Sequence, residues 1–154
     1  MMKRTLIMLA ACGVFAAAAH AKANFGGDWK LNTASSDFGQ FPAPSSMTQK
    51  NTQDEASLKV AVKMATDNGD FDWESSYKLD GGESVNQFGP GEMRSKCSWE
   101  GDTLVINTKG QFGDSEVTMV DKWQLSADGK TLTIARKWSS SRGEIEQKIV
   151  LEKQ

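Results

Sequence analysis

Two alternating runs joined by Asp128 and Gly129 constrain the fold of this chain more than any other feature. The first run covers residues 117–125 and the second covers residues 131–138. An Asp-Gly pair between two such runs favours a tight hairpin turn, because glycine accepts the positive φ that the turn requires. The stretch therefore predicts an antiparallel β-hairpin.

The position of the turn also predicts the register of this hairpin. With Asp128 and Gly129 at the centre, the expected opposed pairs are Leu125 with Leu132, Trp123 with Ile134, Asp121 with Arg136, and Met119 with Trp138. All eight side chains share one face, because side chains alternate along a strand with period two. One apolar face is therefore expected to carry an acid opposite a base.

The same rhythm continues through the rest of the chain and predicts ten strands. The first strand is expected within residues 24–31, and from Ser46 onward short alternating runs are separated by Gly- and Asp-rich turns. Between them, residues 32–45 include Phe41-Pro-Ala-Pro44, which is too proline-rich for a long helix. We expect this segment to cross one end of the fold, with at most one helical turn.

No stretch is long enough for the helical crossover that a parallel sheet requires. The fold class predicted is therefore all-β: an antiparallel up-and-down meander barrel of about 8–10 strands, since closure removes the exposed edges of a sheet.

The N-terminus has the layout of a bacterial secretory signal peptide. A basic start, Met1-Met-Lys-Arg4, precedes an apolar, alanine-rich run, and A-x-A cleavage sites end at Ala21 and at Ala23. Taking residues 1–23 as the signal peptide leaves residues 24–154, or 131 of the 154 residues, as one barrel domain. The expected location is periplasmic or secreted, and the expected state is a monomer.

A second interpretation of the same stretch rests on Leu9-Ala-Ala-Cys12, which resembles a lipobox. In that case Cys12 is lipidated and the protein is an envelope lipoprotein, the one circumstance in which we expect membrane contact.

Removal of the signal peptide narrows the chemistry open to the protein. It takes away His20, the only histidine, and leaves Cys97 as the sole thiol. A chain without histidine lacks the usual base for Ser-His or Cys-His catalysis and the commonest transition-metal ligand. We therefore expect no enzyme activity, no cofactor and no metal.

The charge of the mature chain argues against nucleic acid as a partner. Lys3, Arg4 and Lys22 leave with residues 1–23, so the 18 basic residues fall to 15 against 20 acidic ones, a net charge of −5. No basic stripe interleaves with aromatic residues. Nucleic acids and anionic membrane surfaces are therefore poor candidate partners.

All five tryptophans are expected on the inner face: Trp29, Trp73, Trp99, Trp123 and Trp138. They suit either the core of a filled barrel or an aromatic-lined cavity for an apolar ligand. Both arrangements require the same inward pattern, so periodicity does not separate them.

Arg136 is the sharpest candidate for a ligand contact. The turn after it, residues 139–143, places Trp138 opposite Ile145 and Arg136 opposite Gln147. A guanidinium in an apolar barrel can bind a ligand carboxylate through two hydrogen bonds. Alternatively, Asp121 neutralises Arg136 and Gln147 satisfies its remaining donors, which gives a buried structural pair.

A second polar group is expected on neighbouring inner faces, with Tyr77 opposite Asn86 and Leu79 opposite Ser84. Together with Ser75 and Ser95, these side chains are hard to satisfy in a closed core without water or a ligand. They indicate either a wet cavity or a barrel mouth.

The first strand supplies a family resemblance. Gly27-Asp-Trp29 resembles the Gly-x-Trp signature of lipocalins and other calycins, and Gly-Asp-Trp-Lys-Leu31 is similar, more weakly, to the opening of fatty-acid-binding proteins. The whole mature chain resembles small exported lipocalin-like proteins of bacteria. The resemblance implies a barrel that holds a small lipophilic molecule, with Gly27 and Trp29 as structural signature residues.

This sequence departs from both fatty-acid-binding proteins and lipocalins. Residues 32–45 are too short for the helix pair of fatty-acid-binding proteins, and the last strand lacks their Arg-x-Tyr site. Lipocalins pack a late arginine across the signature tryptophan, and here either Arg136 or Arg142 can take that place.

The function expected from the sequence is an exported protein that binds a small apolar or amphipathic molecule. Its candidate ligand contacts are Arg136, Asp121, Gln147, Tyr77, Asn86, Trp73, Trp123 and Trp138. The alternative is a filled barrel that serves as a structural or protein-interaction module of the envelope.

Overall fold

A computed structural model describes residues 22–154 of the protein. The expected signal peptide, His20 and Cys12 therefore lie outside the described residues, apart from Lys22 and Ala23. No helix in the described part is long and apolar enough to cross a membrane.

Ten strands and one short 3-10 helix make up the described chain. The strands are β1 (Gly27–Leu31), β2 (Ser46–Gln53), β3 (Ser57–Thr66), β4 (Gly69–Lys78), β5 (Ser84–Phe88), β6 (Gly91–Glu100), β7 (Thr103–Phe112), β8 (Ser115–Leu125), β9 (Thr131–Ser140) and β10 (Gly143–Lys153). The 3-10 helix, Thr33–Ser35, is the single helical turn expected between β1 and β2. Asp37 then pairs with Lys148, so this segment follows the edge of β10 before it crosses to β2.

The strands form one antiparallel sheet in the order β4-β3-β2-β1-β10-β9-β8-β7-β6-β5. The two ends of this order, β4 and β5, follow one another in the chain, so the sheet curls into a nearly closed up-and-down barrel. The predicted fold class is confirmed.

The register of the central hairpin is confirmed at every predicted pair. In β8 and β9, Leu125 opposes Leu132, Trp123 opposes Ile134, Asp121 opposes Arg136, and Met119 opposes Trp138. Arg136 also opposes Gln147 of β10, and Trp138 opposes Ile145. The Asp-Gly turn and strict alternation were sufficient for this part of the barrel, because both are local properties of the chain.

The join between β4 and β5 differs from the prediction. The pairing expected for Tyr77 with Asn86, and for Leu79 with Ser84, does not form as a backbone ladder. Instead, the side-chain amide of Asn86 accepts a hydrogen bond from the Ser76 amide (2.8 Å) and donates one to the Ser76 carbonyl (3.0 Å). The backbone amide of Lys78 likewise donates to the Ser84 hydroxyl (2.7 Å). Side chains of β5 thus replace the backbone partners that a continuous sheet would supply.

The residues before β1 plug one end of the barrel, a role that the alternation pattern does not predict. Phe25 is fully buried, stacked on Trp99 at 6.1 Å and edge-on to Trp123 at 5.6 Å between ring centroids. Gln53 holds the segment by accepting from the Phe25 amide (2.8 Å) and donating to the Ala23 carbonyl (3.0 Å). The Phe25 ring therefore closes this end of the barrel.

A lysine, and not an arginine, covers the signature tryptophan. The ammonium of Lys153 lies 5.7 Å from the ring centroid of Trp29, so neither Arg136 nor Arg142 takes the place expected from lipocalins. Gly27 makes room for this contact: it has φ of +133°, and a Cβ there would lie 2.9 Å from Cε of Lys153. A larger residue at position 27 would be strained at this φ and would displace the end of the Lys153 side chain.

Candidate ligand-binding site

The interior of the barrel has two halves of different character. At the end formed by the turns at 54–56, 79–83, 101–102 and 126–130, here called the closed end, inward side chains are tightly buried. They are Phe25, Trp29, Leu58, Leu79, Leu104, Trp123, Leu132, Ile134 and Leu151. This half corresponds to the filled core of one sequence-based alternative.

At the opposite end, here called the open end, most inward side chains are less deeply buried. Among these partly exposed side chains are Trp73, Met119, Trp138 and Ile145. Phe71 and Phe88 at the ends of β4 and β5 are exposed by 46% and 41%. Since alternation directs Trp73, Met119, Trp138 and Ile145 inward, their partial exposure means that solvent reaches part of the inner face in this half.

Asp121 and Arg136 stand at the boundary between the two halves. Nε of Arg136 donates to Oδ1 of Asp121 and Nη2 donates to Oδ2, both at 2.8 Å. The Asp121 side chain is 3% exposed, whereas that of Arg136 is 22% exposed. The pair is therefore largely buried, and Arg136 is the partner whose side chain solvent reaches.

The ion pair keeps Arg136 charged. Burial alone would lower the pKa of Arg136, but the charge and hydrogen bonds of Asp121, with a smaller contribution from Tyr77, raise it above its usual value. The open half thus has a permanent cationic hydrogen-bond donor at its base.

Gln147 does not take the position expected for it. Although it opposes Arg136 in the ladder, its Nε2 donates to the Phe38 carbonyl at 3.2 Å. Among the described residues, Nη1 of Arg136 consequently donates to no protein atom at hydrogen-bond distance. Gln147 instead fastens the segment after β1 to the inner side of β10, and the prediction that it would satisfy Arg136 is wrong.

Three side chains of the second polar group form hydrogen bonds within the protein. Ser84 and Asn86 bond to the backbone of β4, and the Ser95 hydroxyl bonds to that of Thr108 at 2.7 Å. Tyr77 and Ser75 lie on the inner face of β4, opposite Leu58 and Val60. Burial raises the pKa of Tyr77, and Asp121 and Arg136 lie close enough to act on its charge. The inner face therefore carries fewer unsatisfied polar groups than the sequence predicts.

The tryptophans divide between the two halves. Trp123 packs against Phe25 in the closed half, and among the described residues its buried indole N–H has no hydrogen-bond partner. Trp138 lies on the open side of Arg136, with 6.0 Å between the guanidinium carbon and the ring centroid. Trp73 of β4 contacts Phe88 of β5 edge-on at 5.8 Å, across the join between these strands. Trp73 and Trp138, but not Trp123, therefore line the open half.

The remaining chemistry of the described residues is limited. Cys97 is a buried free thiol, and burial raises its pKa to about 11, so it is not a thiolate nucleophile at neutral pH. No group of three or more histidine, cysteine or acidic side chains in residues 22–154 is placed to hold a metal ion. The arrangement at Asp121 and Arg136 suits the recognition of a polar group on an otherwise apolar molecule.

No family model and no curated protein matches the sequence. Solved structures do match its fold. The zebrafish ileal bile acid-binding protein complexed with cholic acid superposes with a TM-score of 0.57 at 16% identity, over 84% of this chain and 98% of that one. A secretory abundant heat soluble protein of Ramazzottius varieornatus gives 0.55 at 12% identity, over 84% and 94%. The wild-type fluorescent protein UnaG gives 0.54 at 16% identity, over 84% and 97%.

These likenesses establish the fold. The structural neighbours include calycin barrels of the fatty-acid- and bile-acid-binding type, within the group that the Gly-x-Trp resemblance indicated. At such low identity they do not carry a ligand over to this chain.

Proposed function

We propose that this protein binds a small apolar or amphipathic molecule in the open half of its barrel, with the polar end of the ligand at Arg136. The observation that carries the proposal is a charged donor, 22% exposed, on an inner face whose other partly exposed side chains are mainly aromatic and aliphatic. Binding sites for small molecules are typically concave, mostly apolar and supplied with a few fixed polar groups. The bile acid-binding neighbour, solved with cholic acid, has the same fold and supports this assignment.

The proposal includes export. A basic start, an apolar run and A-x-A sites are the features of a secretory signal peptide, and we propose a periplasmic or secreted binding protein that acts without catalysis. Lipidation at Cys12 would instead hold the same barrel at a membrane surface.

Native mass spectrometry of the mature protein, purified gently from its own envelope fraction, tests both parts of the proposal. We expect a discrete adduct of roughly a few hundred daltons, the size that a pocket of this class accommodates. The mass of the stripped protein also reports the processing site and any lipid on Cys12.

A matched control separates ligand in the barrel from ligand on the surface. Ser75→Phe places a large ring on the inner face of β4, whereas Ser76→Phe adds the same ring at the neighbouring, outward position. The adduct should be lost only in Ser75→Phe. A bare wild-type mass, unchanged after incubation with fatty acids, sterols and aromatic lipids, would refute the binding function.

A further inference from the structure

The charges inside the barrel limit the class of ligand that it can bind. Between the two ends of the barrel, the inner faces of the described strands carry two formal charges, those of Asp121 and Arg136. The remaining inward positions near the pair are uncharged, among them Tyr77, Met119 and Gln147. Because Asp121 and Arg136 bind each other through two hydrogen bonds, the interior is neutral before a ligand enters.

An anionic ligand would disturb this balance. Both oxygens of Asp121 already accept from Arg136, and Asp121 is too deeply buried to turn toward water. A ligand carboxylate at Arg136 would therefore leave one net negative charge in an apolar interior, beside a carboxylate of the same sign. Burying a charge without its own counter-charge is costly, and like charges at one site repel.

A neutral ligand oxygen at Arg136 avoids the cost of burying an unbalanced charge. Nη1 of Arg136 donates to no described protein atom, and the Arg136 side chain is 22% exposed. A hydrogen bond from a charged donor is stronger than one between neutral groups, and an uncharged acceptor adds no net charge. Trp138, Met119 and Ile145 then supply apolar surface for the rest of the molecule.

We infer that the barrel selects an uncharged amphiphile whose polar end is a hydroxyl or carbonyl oxygen, and that Asp121 is the residue that rejects carboxylates. The inference rests on the proposed binding function and names its ligand class. Asp121 acts through Arg136: its carboxylate neutralises the positive charge but leaves one edge of the guanidinium free to donate.

Calorimetric titration with decan-1-ol and decanoate at pH 8 tests the inference, since the two probes share one chain and differ in head-group charge. The free carboxyl group is ionised at this pH. We expect the wild-type protein to bind decan-1-ol roughly tenfold or more tightly than decanoate, as an unbalanced buried charge requires.

Asp121→Asn should reverse this order, because the asparagine keeps the shape of the side chain while Arg136 regains a free positive charge. Glu116→Gln is the matched control. It removes the same formal charge from an outward, exposed position of β8 and should leave the wild-type preference unchanged.

The outcomes distinguish the inference from the function on which it rests. If the wild-type protein binds decanoate as tightly as decan-1-ol, the selection for neutral ligands is wrong but the binding function stands. If neither probe binds the wild-type protein, the selection for a neutral amphiphile is wrong, and the native mass spectrum alone decides the binding function. A folded Asp121→Asn variant, checked by its melting temperature, that still prefers the alcohol would overturn the role given to Asp121. The wild-type comparison decides on ligand class even if that variant does not fold.

Discussion

Cys97 shows at the scale of one residue how burial determines chemistry. Its thiol lies on the inner face of β6 beside the core, and burial raises its pKa from 9.0 to about 11. In the unfolded chain the thiol ionises first, so between these values the folded protein binds more protons than the unfolded one. The contribution of Cys97 to stability is therefore fully present below pH 9 and is lost as the pH rises toward 11.

This difference predicts a distinct alkaline behaviour for Cys97→Ala. The free energy of unfolding of the wild-type protein should fall more steeply than that of the variant between pH 9 and 11, by about 2 kcal/mol in total. Urea unfolding under reducing conditions at several pH values measures both slopes. Comparing slopes removes the pH-independent loss of stability that comes from deleting the sulfur atom. Parallel curves would mean that the thiol is not buried as described.

At the scale of an element, the join between β4 and β5 depends on side chains. The Asn86 side chain makes hydrogen bonds to both the N–H and the carbonyl of Ser76. Asn86→Ala removes both bonds, and no backbone pairing between β4 and β5 replaces them. We expect a loss of about 1 kcal/mol, the usual worth of such bonds at a partly exposed position. Exchange of the Ser76 amide proton should accelerate more than that of amides in β8 and β9.

Gln87→Ala is the control for this change. Gln87 is the next residue of β5, is exposed, and makes no side-chain hydrogen bond among the described residues. Equal effects of the two substitutions on Ser76 exchange would show that β5 as a whole, and not the Asn86 amide, holds the join together.

For the whole molecule, the uneven burial of the inner face predicts losses of different size for the same enlargement. Ser75→Phe places its ring at a partly exposed inner position and should lower the free energy of unfolding by less than about 1 kcal/mol. Ser95→Phe forces a ring into a site that is 1% exposed and breaks the bond to Thr108. It should cost roughly 3 kcal/mol or more, from overpacking together with an unpaired hydroxyl.

Chemical unfolding of both variants measures the contrast. Similar losses for Ser75→Phe and Ser95→Phe would mean that the barrel is filled throughout, which would favour the structural or protein-interaction alternative over ligand binding.

Alternation and turn chemistry determine most of the architecture from the sequence by itself. They predict the antiparallel meander, the single helical turn between β1 and β2, and the opposition of Asp121 to Arg136. These features depend on neighbours in the chain or on two strands joined by a short turn. Period two and a glycine with positive φ are sufficient to specify them.

The tertiary structure alone decided which side chains face one another inside the barrel. Gln147 donates to Phe38 and leaves Arg136 with a free edge, and Phe25 fills one end from the residues that precede β1. Lys153, near the end of the chain, covers Trp29 near its beginning. Each of these contacts joins residues far apart in sequence through a choice of rotamer. Such choices follow from packing in three dimensions, which no local pattern encodes.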